Sequence, residues 1–145
     1  MLRSAKREVD FPVQRSDADW RTALSTMQYH VLRRHGTEPP FSSPLDKEYG
    51  AGTYHCAGCG KPLFDSGTKF DSRTGWPSFW APLDHAVATS VDRSLFLMKR
   101  TEVHCAECGG HLGHVFPDGP KPSGQRYCMN GTALDFRKRK EDGEQ

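Results

Sequence analysis

Four of the five cysteines in this chain form two C-x-x-C pairs, Cys56-Ala-Gly-Cys59 and Cys105-Ala-Glu-Cys108. No other feature constrains the fold as tightly. Each pair runs into glycine, Gly60 in the first case and Gly109-Gly110 in the second. Glycine lets the second cysteine sit in a tight turn whose backbone N–H groups face the sulfurs, and two such knuckles make a tetrahedral four-thiolate zinc site. About 45 residues lie between the pairs, more than in a compact zinc finger, so one ion would tie together two distant hairpins of a larger fold. A single pair reads equally well as a thioredoxin-like redox motif; two matched pairs favour zinc. Four sulfur ligands leave no open coordination position, so one structural Zn²⁺ per chain is expected.

The composition fits a chain that uses such a staple. At 145 residues it suits one domain, yet only 35% of it is hydrophobic. Thin cores of this kind are commonly reinforced by metals or disulfides, and four-thiolate zinc binding contributes on the order of 10 kcal/mol or more to folding. A formal charge of +2 gives no reason to expect a nucleic-acid partner, and no apolar run approaches membrane-spanning length. Met1–Asp10 has no apolar core of a secretory signal. The expectation is a cytoplasmic monomer, in a reducing setting where cysteines serve metals or catalysis rather than disulfides.

One domain over 16–136 is expected, between a loosely ordered segment 1–15 and a charged tail 137–145. Ser16 followed by Asp17 and Asp19 reads as a helix start, and Trp20, Leu24, Met27 and Val31 recur at helical spacing. Arg33 and Arg34 suit the helix end, with Gly36 as the stop. From Thr53 onward the pattern turns to short β segments, with strands predicted at 53–56, 67–71, 94–105, 112–116, 125–130 and 132–136. Leu95, Leu97 and Val103 should face one side of their hairpin.

Three segments suggest chemistry. Gly75-Trp76-Pro77-Ser78-Phe79-Trp80 can wall a small apolar pocket or fill a corner of the core. In His111-Leu112-Gly113-His114-Val115-Phe116 the two histidines can bind or protonate a polar oxygen near neutral pH, or simply lie at the surface. In Arg126-Tyr127-Cys128-Met129-Asn130, strand alternation sets a guanidinium, a thiol and a carboxamide on one face. The positive charge should lower the Cys128 pKa, and the carboxamide can donate to a substrate oxygen.

In their order along the chain these motifs resemble the B-type peptide-methionine (R)-S-oxide reductases, from about Ser16 to Phe136. The resemblance also takes in Leu24-Ser25-Thr26-Met27-Gln28, His35-Gly36-Thr37-Glu38-Pro39-Pro40-Phe41 and Phe70-Asp71-Ser72. It implies a mainly β fold, with two curved antiparallel sheets and short N-terminal helices. It implies that Cys128 attacks a sulfoxide sulfur and is left as a sulfenic acid. Trp76 and Phe116 would hold the substrate methyl group. His111, His114 and Asn130 would organise protons and water at the sulfoxide oxygen, and Arg126 and Asp118 would shape the charge of the pocket. Oxidised proteins or peptides would be the substrate, and thioredoxin or another thiol the reductant.

The chain departs from the family pattern in two places. Where internally resolving members carry a second cysteine before the Gly-Trp motif, this chain has Ser72-Arg73-Thr74. With four cysteines on zinc, an external thiol is expected to resolve the Cys128 sulfenic acid. Gly131 stands where serine commonly follows the asparagine, which should tune the loop without abolishing activity. Two other readings remain. A non-catalytic zinc module gives no reason for the Arg126, Cys128 and Asn130 alignment, and a thiol peroxidase has no need of a methyl-sized aromatic pocket.

Overall fold

The computed structural model describes residues 11–95 and 98–139. Ser16 caps α1 (Asp17–Ala23) by accepting the Asp19 N–H, as its sequence suggests. The helix does not run on, however. Ser25 caps a second one, α2 (Thr26–Arg34), and the Gln28 side chain returns the favour by accepting the Ser25 N–H at 2.9 Å. This reciprocal box satisfies local donors that a continuous helix would have paired with backbone carbonyls, so one predicted helix becomes two. Met27 is 43% exposed, and Leu32 is buried beside Val31 instead. His35, not Gly36, takes the left-handed turn at φ 58°. At Gly36 a Cβ would stand 2.1 Å from the His30 ring, an exposed side chain that would have to swing aside.

Among the described residues nine strands follow: β1 (Gly52–Cys56), β2 (Pro62–Asp65), β3 (Lys69–Phe70), β4 (Ser78–Phe79), β5 (Val87–Leu95), β6 (Met98–Cys105), β7 (His111–Phe116), β8 (Arg126–Met129) and β9 (Leu134–Lys138). They form a three-stranded sheet, β2-β1-β9, and a six-stranded sheet, β3-β4-β8-β7-β6-β5. Every pairing is antiparallel. The mainly β architecture with two sheets and short N-terminal helices is therefore as expected.

Several boundaries differ. The predicted strand 94–105 merges the end of β5 with β6, which pair as a hairpin. Thr89-Ser90-Val91-Asp92-Arg93-Ser94 carries almost no apolar alternation, as suits an edge strand, so periodicity had little to detect. Val103 is buried, whereas Leu97 and the Leu95 side chain lie outside the described residues. The segment 67–71 splits into a 3-10 turn, Ser66–Thr68, and the two-residue β3. Similarly, 132–136 opens with a 3-10 turn before β9. Arg137 and Lys138, expected in the tail, pair with Thr53 and Gly52. Residues 11–15, expected to be loose, are docked: the Val13 N–H donates to the Glu107 carbonyl at 2.8 Å, and Phe11 meets the His104 ring edge-on.

Aromatic side chains hold the sheets together. Phe64 of β2 stacks on Phe79 of β4 at 4.3 Å between centroids, and Tyr54 of β1 meets Phe79 edge-on at 5.0 Å. Each of these three rings is fully buried. Such pairs contribute about 0.5–1.5 kcal/mol beyond the area they bury. Among the described residues, no helix is long and apolar enough to cross a membrane.

Candidate active site and metal centre

The two C-x-x-C pairs close twin knuckles. In the first, between β1 and β2, the Gly60 N–H donates to the Cys56 carbonyl at 2.9 Å; in the second, between β6 and β7, Gly109 does the same to Cys105 at 2.9 Å. Gly60 and Gly109 have φ of 86° and 76°, a conformation that favours glycine. The Gly58 and Glu107 N–H groups donate to the Cys56 and Cys105 sulfurs at 3.3 and 3.4 Å. The four sulfurs converge: Cys56 lies 3.7 Å from Cys108, and Cys59 lies 3.6 Å from Cys105. A tetrahedron with metal–sulfur bonds of about 2.3 Å has edges of about 3.8 Å, so the donor set and its spacing fit a four-thiolate metal centre. Because the first knuckle belongs to the small sheet and the second to the large one, the centre joins the sheets. Helix α2 covers it, with Arg33 donating to the Cys108 carbonyl at 3.0 Å.

The second site lies on the large sheet. Along β8 the period of two sends Met129 into the core and Cys128 to the opposite face. Cys128 pairs with His114 of β7 on one side and Ser78 of β4 on the other. Trp76, His114, Phe116, Cys128 and Asn130 line a cavity of about 100 Å³, together with Thr37 and Arg100. The cavity is several times the space one water needs, yet well below the roughly 300–1,000 Å³ of a drug-sized pocket. Gly113 lets β7 and β8 approach, since a Cβ there would stand 2.1 Å from the Cys128 carbonyl oxygen.

The remaining sequence candidates fall nearby, with changed parts to play. Arg126 donates twice to Asp118, at 2.8 and 3.1 Å, and lies 4.4 Å over the Phe116 ring. This pairing holds the Asp118 carboxyl below the usual carboxylate range. Burial pushes the Cys128 thiol above its ordinary value, and contacts with Thr74, Arg126 and Ser78 oppose the rise without cancelling it. The sequence-based expectation of a lowered pKa is thus corrected. Arg126 pulls in the expected direction, but its charge is shared with Asp118 and desolvation prevails. His111 is only 3% exposed and does not line the cavity. It stands behind His114 with ring centroids 5.5 Å apart, and its Nδ1 donates to Glu102 at 2.7 Å. The Asn130 carboxamide is held by backbone: Oδ1 accepts the Glu38 N–H at 2.8 Å, and Nδ2 donates to the Leu112 carbonyl at 2.9 Å.

Sequence reasoning assigned no part to Glu38, which proves to be a hub. Its carbonyl accepts the Trp76 indole N–H at 3.0 Å. Its buried carboxylate accepts the Gly131 N–H at 2.8 Å, and the Thr132 N–H and hydroxyl at 2.7 Å each. Thr74 also went unassigned, and its Oγ1 lies 3.9 Å from the Cys128 sulfur. A hydroxyl chain continues from Thr74 through Ser72 to Ser78 at 2.8 and 2.7 Å. At Gly131, the space a side chain would take is filled by Ser43, whose Oγ would lie 2.0 Å from a Cβ. The quoted motifs contained Glu38 and Thr74, but their roles depend on contacts 94 and 54 residues away along the chain.

In comparison with known proteins, residues 24–138 match the family model described as the SelR domain. The chain is 54% identical over 124 residues to the peptide methionine sulfoxide reductase MsrB of Agrobacterium fabrum, covering 86% of this chain and 92% of that protein. It is 48% identical over 133 residues to the peptide methionine sulfoxide reductase MsrB of Methanosarcina mazei, covering 92% and 95%. With that of Leptospira interrogans it shares 48% identity over 130 residues, covering 90% and 99%.

Proposed function

The chain belongs to the SelR-domain family, that of peptide methionine sulfoxide reductases, and we propose that it repairs oxidised proteins by reducing their methionine (R)-sulfoxide with Cys128 as nucleophile. One observation carries the assignment of roles. Cys128, the one cysteine outside the four-sulfur cluster, opens into a small cavity between aromatic walls, beside an imidazole. Trp76 and Phe116 take the substrate's methyl group, a fit for apolar surfaces that leave the sulfoxide oxygen to polar neighbours. His114 stands beside the sulfur on the next strand and meets that oxygen, with His111 behind it. Arg126 and Asp118 shape the charge at the edge of the site, and Asn130 fixes the strand end.

The reaction balances as follows. The Cys128 thiolate attacks the sulfoxide sulfur, a proton is taken up on oxygen, and the S–O bond of the sulfoxide breaks. The oxygen passes to the Cys128 sulfur as the transient bond between the two sulfurs breaks, which leaves Cys128 as a sulfenic acid and releases methionine. An external thiol, thioredoxin or another small-thiol system, then attacks the sulfenic sulfur, releasing water and leaving a mixed disulfide. A second thiol group cleaves that disulfide and restores the Cys128 thiol. The hydroxyl of Thr74 supports this one-cysteine cycle, because it occupies a contact with Cys128 where an internal resolving thiol would have to stand.

The four-sulfur cluster is assigned one structural Zn²⁺ per chain, held by Cys56, Cys59, Cys105 and Cys108. When bound, the ion supplies folding energy and no chemistry to the cavity. Residues 16–136 contain every group in this reading, and a cytoplasmic monomer is the assigned state.

The test is thiol-driven reduction of peptide-bound methionine sulfoxide, with separated S and R epimers, by wild type and Cys128→Ser. Turnover of R alone, lost in the variant, is expected. No turnover of either epimer by folded, metal-loaded wild type would overturn the reading. Metal analysis of the same protein should give one zinc per chain, and stepwise chelation should unfold it.

A further inference from the structure

An irregularity between Val103 and His104 shifts the register of β6 against β7, so that Glu102 stands across from His114 and His104 across from His111. Irregularities of this kind re-aim side chains, and here His111 Nδ1 comes to lie 2.7 Å from Glu102 Oε2. A third group arrives from the helices. His35 ends α2 in the left-handed conformation, and its Nε2 lies 3.1 Å from the same Glu102 oxygen. The three atoms are all within 4.8 Å of one another. The side chains of His111 and Glu102 are only 3% and 12% exposed, whereas that of His35 is 67% exposed, so the cluster opens to solvent on the His35 side.

We propose that His35, Glu102 and His111 form a second metal site, separate from the four-sulfur centre, which takes a divalent first-row ion of right-angled coordination such as Ni²⁺. Two imidazoles and a carboxylate are the donors such ions favour, while thiolates draw softer ones. Bonds of about 2.0–2.2 Å to nitrogen and oxygen place neighbouring donors about 2.8–3.1 Å apart at right angles, and about 3.3–3.6 Å apart in a tetrahedron. The separations of 2.7 and 3.1 Å from Glu102 Oε2 are those of the right-angled set. A tetragonal nitrogen and oxygen site selects Ni²⁺ or Cu²⁺ over tetrahedral Zn²⁺. The ion takes the place of the hydrogens now shared with Glu102. Each neutral imidazole keeps its proton by moving it to its other ring nitrogen, Nε2 in His111 and Nδ1 in His35, so neither ring changes charge. Water from the His35 side fills the remaining positions. Because the His111 ring lies 5.5 Å from that of His114, a bound ion fastens the end of α2 to the sheet one ring away from the cavity. The site needs no substrate, so it stands or falls apart from the reductase reading.

The test is titration of the zinc-loaded, full-length protein with Ni²⁺, followed by calorimetry, metal analysis and the ¹H–¹⁵N spectrum of the histidine rings. One nickel per chain is expected beside a retained zinc, with the His35 and His111 ring signals shifted or broadened before those of the other histidines. His35→Asn and Glu102→Gln should each weaken binding by more than about tenfold, since even an outer partner of a ligating histidine is worth about 10–100-fold in affinity. His35 is exposed, and asparagine tolerates the left-handed backbone there, so that variant decides the matter if Glu102→Gln does not fold. Absence of nickel binding, equal affinity in wild type and His35→Asn, or nickel uptake only as zinc is lost would each overturn the proposal.

Discussion

Replacing Glu38 with glutamine removes one oxygen from a carboxylate whose two oxygens serve three donors. Oε1 accepts two groups of Thr132 and Oε2 accepts the Gly131 N–H. Glutamine satisfies most donors by turning its carbonyl toward Thr132, which sets its NH₂ against the Gly131 N–H at about the 2.8 Å of the present contact. A buried donor left unmatched costs about 1–3 kcal/mol, and a neutral acceptor makes the remaining bonds weaker by about 0.5 kcal/mol each. The residue is 1% exposed, so water cannot substitute. The expected destabilisation is about 3 kcal/mol. With a urea m-value of about 2 kcal/mol/M, the unfolding midpoint should fall by about 1.5 M at unchanged m. The backbone of the same residue holds Asn130 and Trp76, so kcat/KM for the sulfoxide should fall along with stability. Urea unfolding of the zinc-loaded protein, followed by tryptophan fluorescence, measures the first quantity. A change below about 1 kcal/mol would refute the claim that the carboxylate anchors the 130–132 turn.

Three further outcomes are expected. Thr74→Cys should form a disulfide with Cys128 after one turnover, seen as a single intramolecular cross-link by mass spectrometry, because Oγ1 already touches that sulfur. Gly131→Ser should destabilise the fold by about 1–3 kcal/mol through overpacking against Ser43, and Ser43→Gly in the same chain should recover most of that in thermal melts. Alkylation of Cys128 by iodoacetamide should still be rising at pH 9 instead of levelling off near neutrality. The thiolate is the reactive form, and burial raises its pKa. Arg126→Ala should shift that rise to higher pH still, and a plateau by pH 7 in either protein would count against the burial account.

What the sequence revealed depended on how far apart the interacting residues were. The cysteine pairs were legible because each knuckle is local: C-x-x-C and its glycine define their own turn. Cys128 and its neighbours were legible because β alternation acts over three residues. The break between α1 and α2 was within reach, since Ser25 and Gln28 form a recognisable cap, but the apolar stripe through Met27 outweighed it. The short β2 and β4 and the polar edge strand β5 carry too little alternation to register. The parts played by Glu38, Thr74 and Glu102 required the register of strands brought together from distant segments. Asn130 was placed correctly, but its carboxamide is engaged by the Glu38 and Leu112 backbone, a contact no pattern within its own strand encodes. The Cys128 pKa turned on the balance between a visible charge and an invisible degree of burial.

The size of the cavity determines which property of a partner protein can be recognised. About 100 Å³ behind Trp76 and Phe116 admits the end of one side chain and none of the backbone that carries it. A residue is then chosen by how far it protrudes, with little regard to the neighbours that precede or follow it. On the proposed reading the protein would survey the relief of its clients, treating the same modification on a loop or an unfolded stretch and passing it over beneath a packed helix.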